Sequence, residues 1–260
     1  MPINAVIEKL KHKRAQKTSL FLVFDRDGTL VPYHQDPAQA RLGQEVLTQL
    51  DRLSKQKGVL VGILSARGLN HLFKDFPNKK QILAGNYGME IHISSTLNYK
   101  HPKAEEVREL LGQIREKLIE SLVPQFEAVL EDHELSLCLH WHRTPEPFRP
   151  QIHTIVKEIC KDKPQLQLRA LPSSYELCPA VDWDKSHGLE EMLRLARLRT
   201  EDVMLVYAGD SVADEPAFAW VNHHEGISIQ VGSHSSHAQF RLESPSQLHE
   251  LIHSIEHLDI

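Results

Sequence analysis

Cysteine is scarce in this chain of 260 residues: Cys138, Cys160 and Cys178 are widely spaced and odd in number. That argues against a disulfide framework, and reduced structural thiols are expected. Apolar runs are all far shorter than the ~20 residues a membrane-spanning helix needs. The N-terminus, MPINAVIEKLKHKRAQK, has no apolar core of signal-peptide length, so a cytoplasmic chain is expected. Its basic run from Lys9 to Lys17 reads as a solvated helix face. Positive charge is not in excess: 30 Lys+Arg against 35 Asp+Glu gives a net charge of −5, and a nucleic-acid partner is not expected. Internal repeats, low-complexity tracts and long linkers are absent. Histidines number 17, yet no HxxxH or HExxH pair with a nearby acidic partner stands out. His140 and His142 flank Trp141 and would share one face of a predicted strand. No cysteine or carboxylate completes a tetrahedral set there, so they read as surface or pocket residues rather than zinc ligands.

What is present is ordinary in bulk: 41% hydrophobic and 25% charged residues suit a globular chain with a sizeable core. The informative stretch is SLFLVFDRDGTL, residues 19–30. A short apolar run bounded by a turn signal reads as a buried strand of a parallel sheet. Asp25 and Asp27 then sit just past its carboxyl end, where open α/β sheets place their ligands. Gly28 permits a sharp turn, and Thr29 adds a hydroxyl. Two carboxylates so close together repel unless a cation or a proton-transfer role compensates. A calcium loop also opens with D-x-D, but it wants glycine at its sixth position and glutamate at its twelfth, where this chain has Leu30 and Asp36.

Further along, a helix is predicted from about Gln39 to Lys57, followed by a strand over 59–67 that ends in Ser65 and Arg67. A short helix, LNHLFKDF, precedes QILAGNYGMEIH, a third strand. This alternation predicts a parallel sheet. From about Lys100 the pattern becomes a charged amphipathic helix, a hairpin turning at Asp132-His133, a helix near 150–161 and two short strands, QLQLRAL and SYELCP. Such an α+β insert suggests a cap domain. The sheet pattern resumes near residue 182 with DKSHGLEEMLRLARL, VMLVYAGD, DEPAFAWVNH, GISIQVG and SPSQLHELIHSIEHL.

Asp25 with Asp27, Ser65, Lys185, and Asp210 with Asp214 therefore fall at predicted strand ends or helix starts. Each has a plain structural alternative: a solvated lysine, a serine cap, or a cluster of capping acids. Four such groups in order at one sheet edge instead describe a site for magnesium and a phosphoryl group. Carboxylates alone repel phosphate, and a metal with a lysine reverses the local sign.

The series DxDGT, serine, lysine and GDSVAD resembles the four motifs of the haloacid dehalogenase (HAD) superfamily of aspartate-nucleophile phosphohydrolases. Within it, the chain resembles the trehalose-6-phosphate phosphatase family from about residue 19 to near the C-terminus. GILSARGL, ILAGNYGMEIH, LEDHELSLCLHWHR, YELCPAVDWDKSHGLEEML and YAGDSVADEPAFAWVN carry that resemblance. Departures include Ala66, Asn86-Tyr87, His133, Cys178, Ser186 and Ser211, of which His133 bears on sugar specificity. The resemblance implies an α/β, HAD-like Rossmannoid parallel sheet core at 1–100 and 180–260, with an inserted α+β (C2-type) cap at 101–179. It further implies magnesium-dependent hydrolysis of trehalose 6-phosphate through an aspartyl-phosphate. Asp25 would be the nucleophile, Asp27 the acid and base with a pKa lifted by carboxylate neighbours, and Ser65 and Lys185 the phosphoryl-binding groups. Mg2+ would be held by Asp25, the Asp27 backbone carbonyl and Asp210, with Asp214 in direct or indirect support. Arg67, Asn86, Glu131, His133, His140, Arg143 and Glu176 are implied sugar contacts, and a synthase is a possible partner. Three alternatives stay open. One is another sugar phosphate (sucrose 6-phosphate, glucosylglycerol phosphate or mannosyl-3-phosphoglycerate). The second is an idle trehalose-6-phosphate-binding regulator, and the third a magnesium-dependent phosphotransferase or mutase.

Overall fold

The computed structural model describes residues 2–14, 17–34, 36–77, 80–171 and 173–258. The chain divides into two compact units, one formed by residues 1–98 and 183–260, the other by residues 99–182.

The first unit opens with α1 (Pro2–Arg14), whose Val6, Ile7 and Leu10 are buried. Then come β1 (Ser19–Phe24), α2 (Gln44–Leu53), β2 (Val59–Leu64), α3 (Leu69–Asp75), β3 (Ile82–Gly85), β4 (Glu90–Ser94) and β5 (Leu97–Lys100), whose last two residues are assigned to the second unit. Two expectations are corrected here. The helix predicted from Gln39 begins only at Gln44, because Gly43 is extended and residues 37–39 form a separate short turn. QILAGNYGMEIH is two strands, β3 and the antiparallel β4, separated by a turn in which Asn86 and Tyr87 adopt φ of 49° and 58°. The alternation of apolar residues continued through that turn, so periodicity alone did not show the reversal.

The second unit contains α4 (Pro102–Glu106), α5 (Arg108–Phe126), β6 (Val129–Asp132), β7 (Leu137–His140), α6 (Arg149–Cys160), β8 (Leu166–Ala170) and β9 (Ser174–Pro179). Its strands form an antiparallel sheet in the order β6-β7-β9-β8. Leu137, Leu139, Tyr175 and Leu177 turn one face to Leu111, Ile114 and Leu118 of α5 and to Ile152 and Val156 of α6. The period of two then sends Glu131, Cys138, Glu176 and Arg169, aligned across the four strands, to the other face. β7 stops at His140, so His142 is not on the strand as predicted. The two rings lie 6.0 Å apart across its end.

The chain re-enters the first unit with α7 (Lys185–Leu195), β10 (Val203–Gly209), α8 (Glu215–His223), β11 (Ile227–Val231), β12 (Phe240–Leu242) and α9 (Pro245–Glu256). The three-residue β12 was too short to carry a readable alternation. The eight-stranded sheet runs β12-β11-β10-β1-β2-β3-β4-β5 and is parallel from β12 through β3. Leu20, Leu22 and Phe24 of β1 pack on the side of α1, α2, α3 and α9. On the opposite side, α7 and α8 cover the sheet, where Tyr207 packs against Phe218. Covering on both faces explains why LFLVF is an unbroken apolar run rather than an alternating one. β1 lies between β2 and β10, so the chain leaves it toward one neighbour and returns on the other. This is the switch point at which parallel sheets open a crevice.

Candidate active site

Strand register builds the site. Phe24 pairs with Ile63 of β2 and with Ala208 of β10, so Asp25, Ser65 and Asp210 all emerge just beyond three adjacent strand ends. The Asp25 amide donates to Ala208 O (2.8 Å), which continues the ladder into the turn. Gly28, at φ +83°, is required twice: by that conformation, and because a Cβ would lie 2.1 Å from Asp210 Oδ2. The Asp210 carboxylate thus rests against the turn that carries Asp25.

Lys185 arrives from α7, whose start is fixed by Asp184 accepting from the Ser186 and His187 amides. Gly188 of that helix touches the Asn86–Gly88 turn so closely that a Cβ on Gly88 would lie 2.3 Å from Gly188 Cα. Trp183 Nε1 also donates to Tyr87 O (2.9 Å). The left-handed turn is tied in addition to the end of β2, through Asn86 N to Arg67 O and Tyr87 N to Ser65 O, each 2.9 Å.

Lys185 Nζ lies 2.9 Å from Asp25 Oδ1 and donates to Asp214 Oδ1 at 2.6 Å, with the lysine 2% exposed. Asp214 is fully enclosed. Its Oδ1 also accepts from Tyr207 Oη (2.5 Å), and its Oδ2 accepts from the Asp210 and Ser211 amides and the Ser211 hydroxyl. Ser211, a departure from the family's second aspartate, therefore serves Asp214. Asp25, Asp210 and Asp214 can each present an oxygen within 4.8 Å of the others.

Three carboxylates around one ammonium leave an excess of negative charge in a dry site. Burial, then Asp214, pushes Asp210 up to about 6. Burial likewise carries Asp25 well above the carboxylate range despite Lys185. For Lys185, burial pulls the ammonium down, but Asp214 and Asp25 outweigh it and the net shift is upward. Burial raises Asp214, while the Lys185 charge and the donors around it bring it below its ordinary value. The donor set suits a hard divalent cation: Asp25 and Asp210 offer carboxylate oxygens, and both oxygens of Asp214 are already engaged.

Asp27 faces away from this crowding. Arg26 Nη1 donates to its Oδ1 (2.7 Å), and Arg67 donates from Nε to Oδ2 (2.7 Å) and from Nη2 to Oδ1 (2.9 Å). The neighbours expected to surround Asp27 were carboxylates, whereas the groups that grip it are guanidiniums. Carboxylate crowding falls on Asp25 instead. Arg26 was missed in the sequence, although a charged residue inside an otherwise buried motif is a readable signal. It also holds Asp75 Oδ2 (2.8 Å) and Ala40 O (2.7 Å). Breaking a buried ion pair from one side leaves the other charge uncompensated. Arg26→Met is expected to lower unfolding stability by about 3 kcal/mol, read from the urea midpoint at constant slope.

The implied sugar contacts fall in both units. In the first, Arg67 grips Asp27 while its amide donates to Oγ of Ser65, the phosphoryl-binding candidate (3.1 Å), and Asn86 Nδ2 donates to Glu90 Oε1 (2.7 Å). In the second, His140 Nε2 lies 2.9 Å from Glu131 Oε2 and His133 Nε2 3.9 Å from the same oxygen. Glu176 lies 3.6 Å from Arg169, and Arg143 follows the end of β7. One histidine reading is corrected: His253 and His257 are an HxxxH pair with Glu256 between them. HSIEH was absorbed into the amphipathic pattern of the last helix. No helix among the described residues is long and apolar enough to cross a membrane.

Comparison with known proteins agrees with this architecture. The chain is 27% identical to trehalose-phosphate phosphatase B of Arabidopsis thaliana, over 96% of its own length and 69% of that protein's. It is 26% identical to a probable trehalose-phosphate phosphatase 2 of Oryza sativa subsp. japonica, covering 92% and 68%. Among solved structures, a trehalose-6-phosphate phosphatase related protein superposes with a TM-score of 0.79 at 18% identity, covering 91% of this chain and 96% of that one. The C-terminal domain of C. albicans trehalose-6-phosphate phosphatase gives 0.76 at 20%, covering 99% and 97%. A haloacid dehalogenase-like hydrolase from Bacteroides thetaiotaomicron gives 0.62 at 15%, covering 91% and 99%. The likenesses at such identities concern the fold. The sequence profile of the trehalose-phosphatase family matches residues 23–246, and with the strand-end carboxylates in place the chain belongs to that family.

Proposed function

We propose that this chain hydrolyses trehalose 6-phosphate to trehalose and phosphate with the help of Mg2+. The observation that carries the reading is the Asp25–Lys185–Asp214 arrangement beside Asp210, a nucleophile, a cation and a metal-suited carboxylate at one sheet edge. Asp25 attacks phosphorus, the phosphorus–sugar oxygen bond breaks, and Asp27 delivers a proton to the departing oxygen. Water then attacks the aspartyl-phosphate, its proton passes to Asp27, and the bond to Asp25 breaks. Ser65 and Lys185 hold phosphoryl oxygens, and Arg26 and Arg67 fix the position of Asp27. Asp25, Asp210 and the Asp27 carbonyl would hold the ion, which supplies positive charge for the phosphoryl oxygens. Asp214 orients Lys185 rather than meeting the ion. The second unit supplies sugar recognition through Glu131, His133, His140, Arg143 and Glu176. Arg67 and Asn86 are reassigned from the sugar to holding Asp27 and the 86–88 turn.

The direct test is phosphate release from trehalose 6-phosphate against sucrose 6-phosphate and glucose 6-phosphate, with and without Mg2+. Preference for the trehalose ester by at least an order of magnitude is expected. Equal rates on all three would reject the specificity. Binding without turnover would instead identify a regulator.

Stability should report the cation too. Asp210 has a folded pKa above its unfolded one, so its contribution is present below about pH 4 and is lost as pH rises through about 6, and Asp25 is shifted in the same direction. Lys185 shifts upward from an ordinary value already far above that window, and Asp214 shifts downward from an ordinary value below it, so neither titrates inside it. Without a divalent ion, unfolding stability is expected to fall between pH 4 and 7 by up to about 3 kcal/mol from Asp210. Melting curves should show Mg2+ restoring more at pH 7.5 than at pH 5.

A further inference from the structure

The end of α9 carries a cluster that phosphoryl transfer does not use. His253 and His257 are exposed and stand one helical turn apart, with ring centroids 4.4 Å from each other. His257 Nδ1 lies 2.8 Å from His253 O, which turns its Nε2 outward. Between them sits Glu256, whose side chain is only 9% exposed. Its Oε1 accepts from Arg52 Nη1 of α2 (3.3 Å), while its buried Oε2 has no hydrogen-bond partner among the described residues. A carboxylate oxygen withdrawn from water without a donor is costly, and such groups call for an explanation. The three residues can bring one ligand atom each within 4.8 Å of one another.

We propose that His253, Glu256 and His257 form a second metal site, for a borderline divalent ion such as Zn2+, separate from the catalytic carboxylates. Three observations select that class. Two imidazoles and one carboxylate are a donor set zinc accepts and magnesium does not prefer. The i, i+3, i+4 spacing puts all three on one helix face. The site closes the last turn of α9, where the negative end of the helix dipole favours a cation. Arg52 opposes this with its own charge, but it is a largely exposed side chain that donates to the other oxygen. Glu256 O also accepts from Gln56 Nε2 (2.8 Å), so an ion held here would fasten the end of α9 to the end of α2. With three protein ligands, water completes a tetrahedral shell. The role is structural or regulatory, and it does not depend on the phosphatase reading.

The experiment titrates Zn2+ into the full chain under saturating Mg2+, and compares it with His253→Ala/His257→Ala. The wild type is expected to bind one Zn2+ more than the double variant, and to gain a Zn2+-dependent rise in melting temperature that the variant lacks. Glu256→Gln should weaken the extra site by roughly tenfold or more. In the wild type alone, the ring resonances of His253 and His257 should shift with Zn2+ and not with Mg2+. Mg2+-supported phosphate release should be the same in wild type and double variant. Equal Zn2+ stoichiometry in the two proteins, or unmoved His253 and His257 resonances, overturns the proposal.

Discussion

Asp25→Asn is expected to remove phosphate release while leaving the protein as stable as before, or more so. The asparagine keeps the shape of the side chain and can still accept from Lys185, but its amide is no nucleophile toward phosphorus. Loss of a group that forms the covalent intermediate costs roughly 10^4-fold or more in turnover. The stability half follows from the electrostatics. Burial and the Asp214 and Asp210 charges already hold the Asp25 carboxyl well above its ordinary range, so its ionised form is an unfavourable guest in the fold. A neutral amide at neutral pH relieves that repulsion, most visibly when no divalent ion is present. Activity and stability should therefore move in opposite directions, as happens where a site is strained for its chemistry. Phosphate release within a factor of ten of wild type would remove Asp25 from the nucleophile's role. A large stability loss would show the carboxylate to be structural.

Much of the architecture was legible because the sheet is covered on both sides. LFLVF and VMLVYAG are unbroken apolar runs, each stopping at carboxylates, and such runs have few uses outside a doubly covered parallel sheet. Where legibility failed, local pattern did not encode the event. The turn at Asn86–Gly88 is enforced by backbone bonds to Ser65 and Arg67, residues far away in sequence. The delayed start of α2 depends on the extended backbone at Gly43, which apolar spacing does not report. The site shows the same division. Motif order placed Asp25, Ser65, Lys185 and Asp210 at one sheet edge; register brings the strands before Asp25, Ser65 and Asp210 together, and the start of α7 supplies Lys185. Which carboxylate crowds which was not readable. Spacing suggested that Asp25 and Asp27 press on each other, yet the turn sends Asp27 to Arg26 and Arg67, and Asp25 toward Lys185. The bonds from Arg67 to Asp27 and from Asn86 to Glu90 were not legible either, because a sequence names donors without naming acceptors.

Lys185→Met is expected to be the most damaging single change to both fold and chemistry. The ammonium is buried between Asp25 and Asp214, and methionine replaces it with a chain of similar length that has no charge and no donor. Removing one partner of a buried ion pair costs about 3–5 kcal/mol, since the carboxylates left behind cannot recover their hydration. The loss should be smaller at pH 5, where Asp210, with its pKa near 6, is largely neutral and the site holds less negative charge. Turnover should fall by roughly 10^2- to 10^3-fold beyond any effect of unfolding, because a fixed positive charge near the transferring phosphoryl group is lost. A double variant separates the two roles. Lys185→Met/Asp214→Asn removes a carboxylate along with the ammonium, so part of the stability should return through their coupling. Activity should not return with it, for the phosphoryl group still lacks its cation. Recovery of both together would mean that Lys185 serves only to neutralise Asp214. Recovery of stability alone assigns the lysine to the reaction.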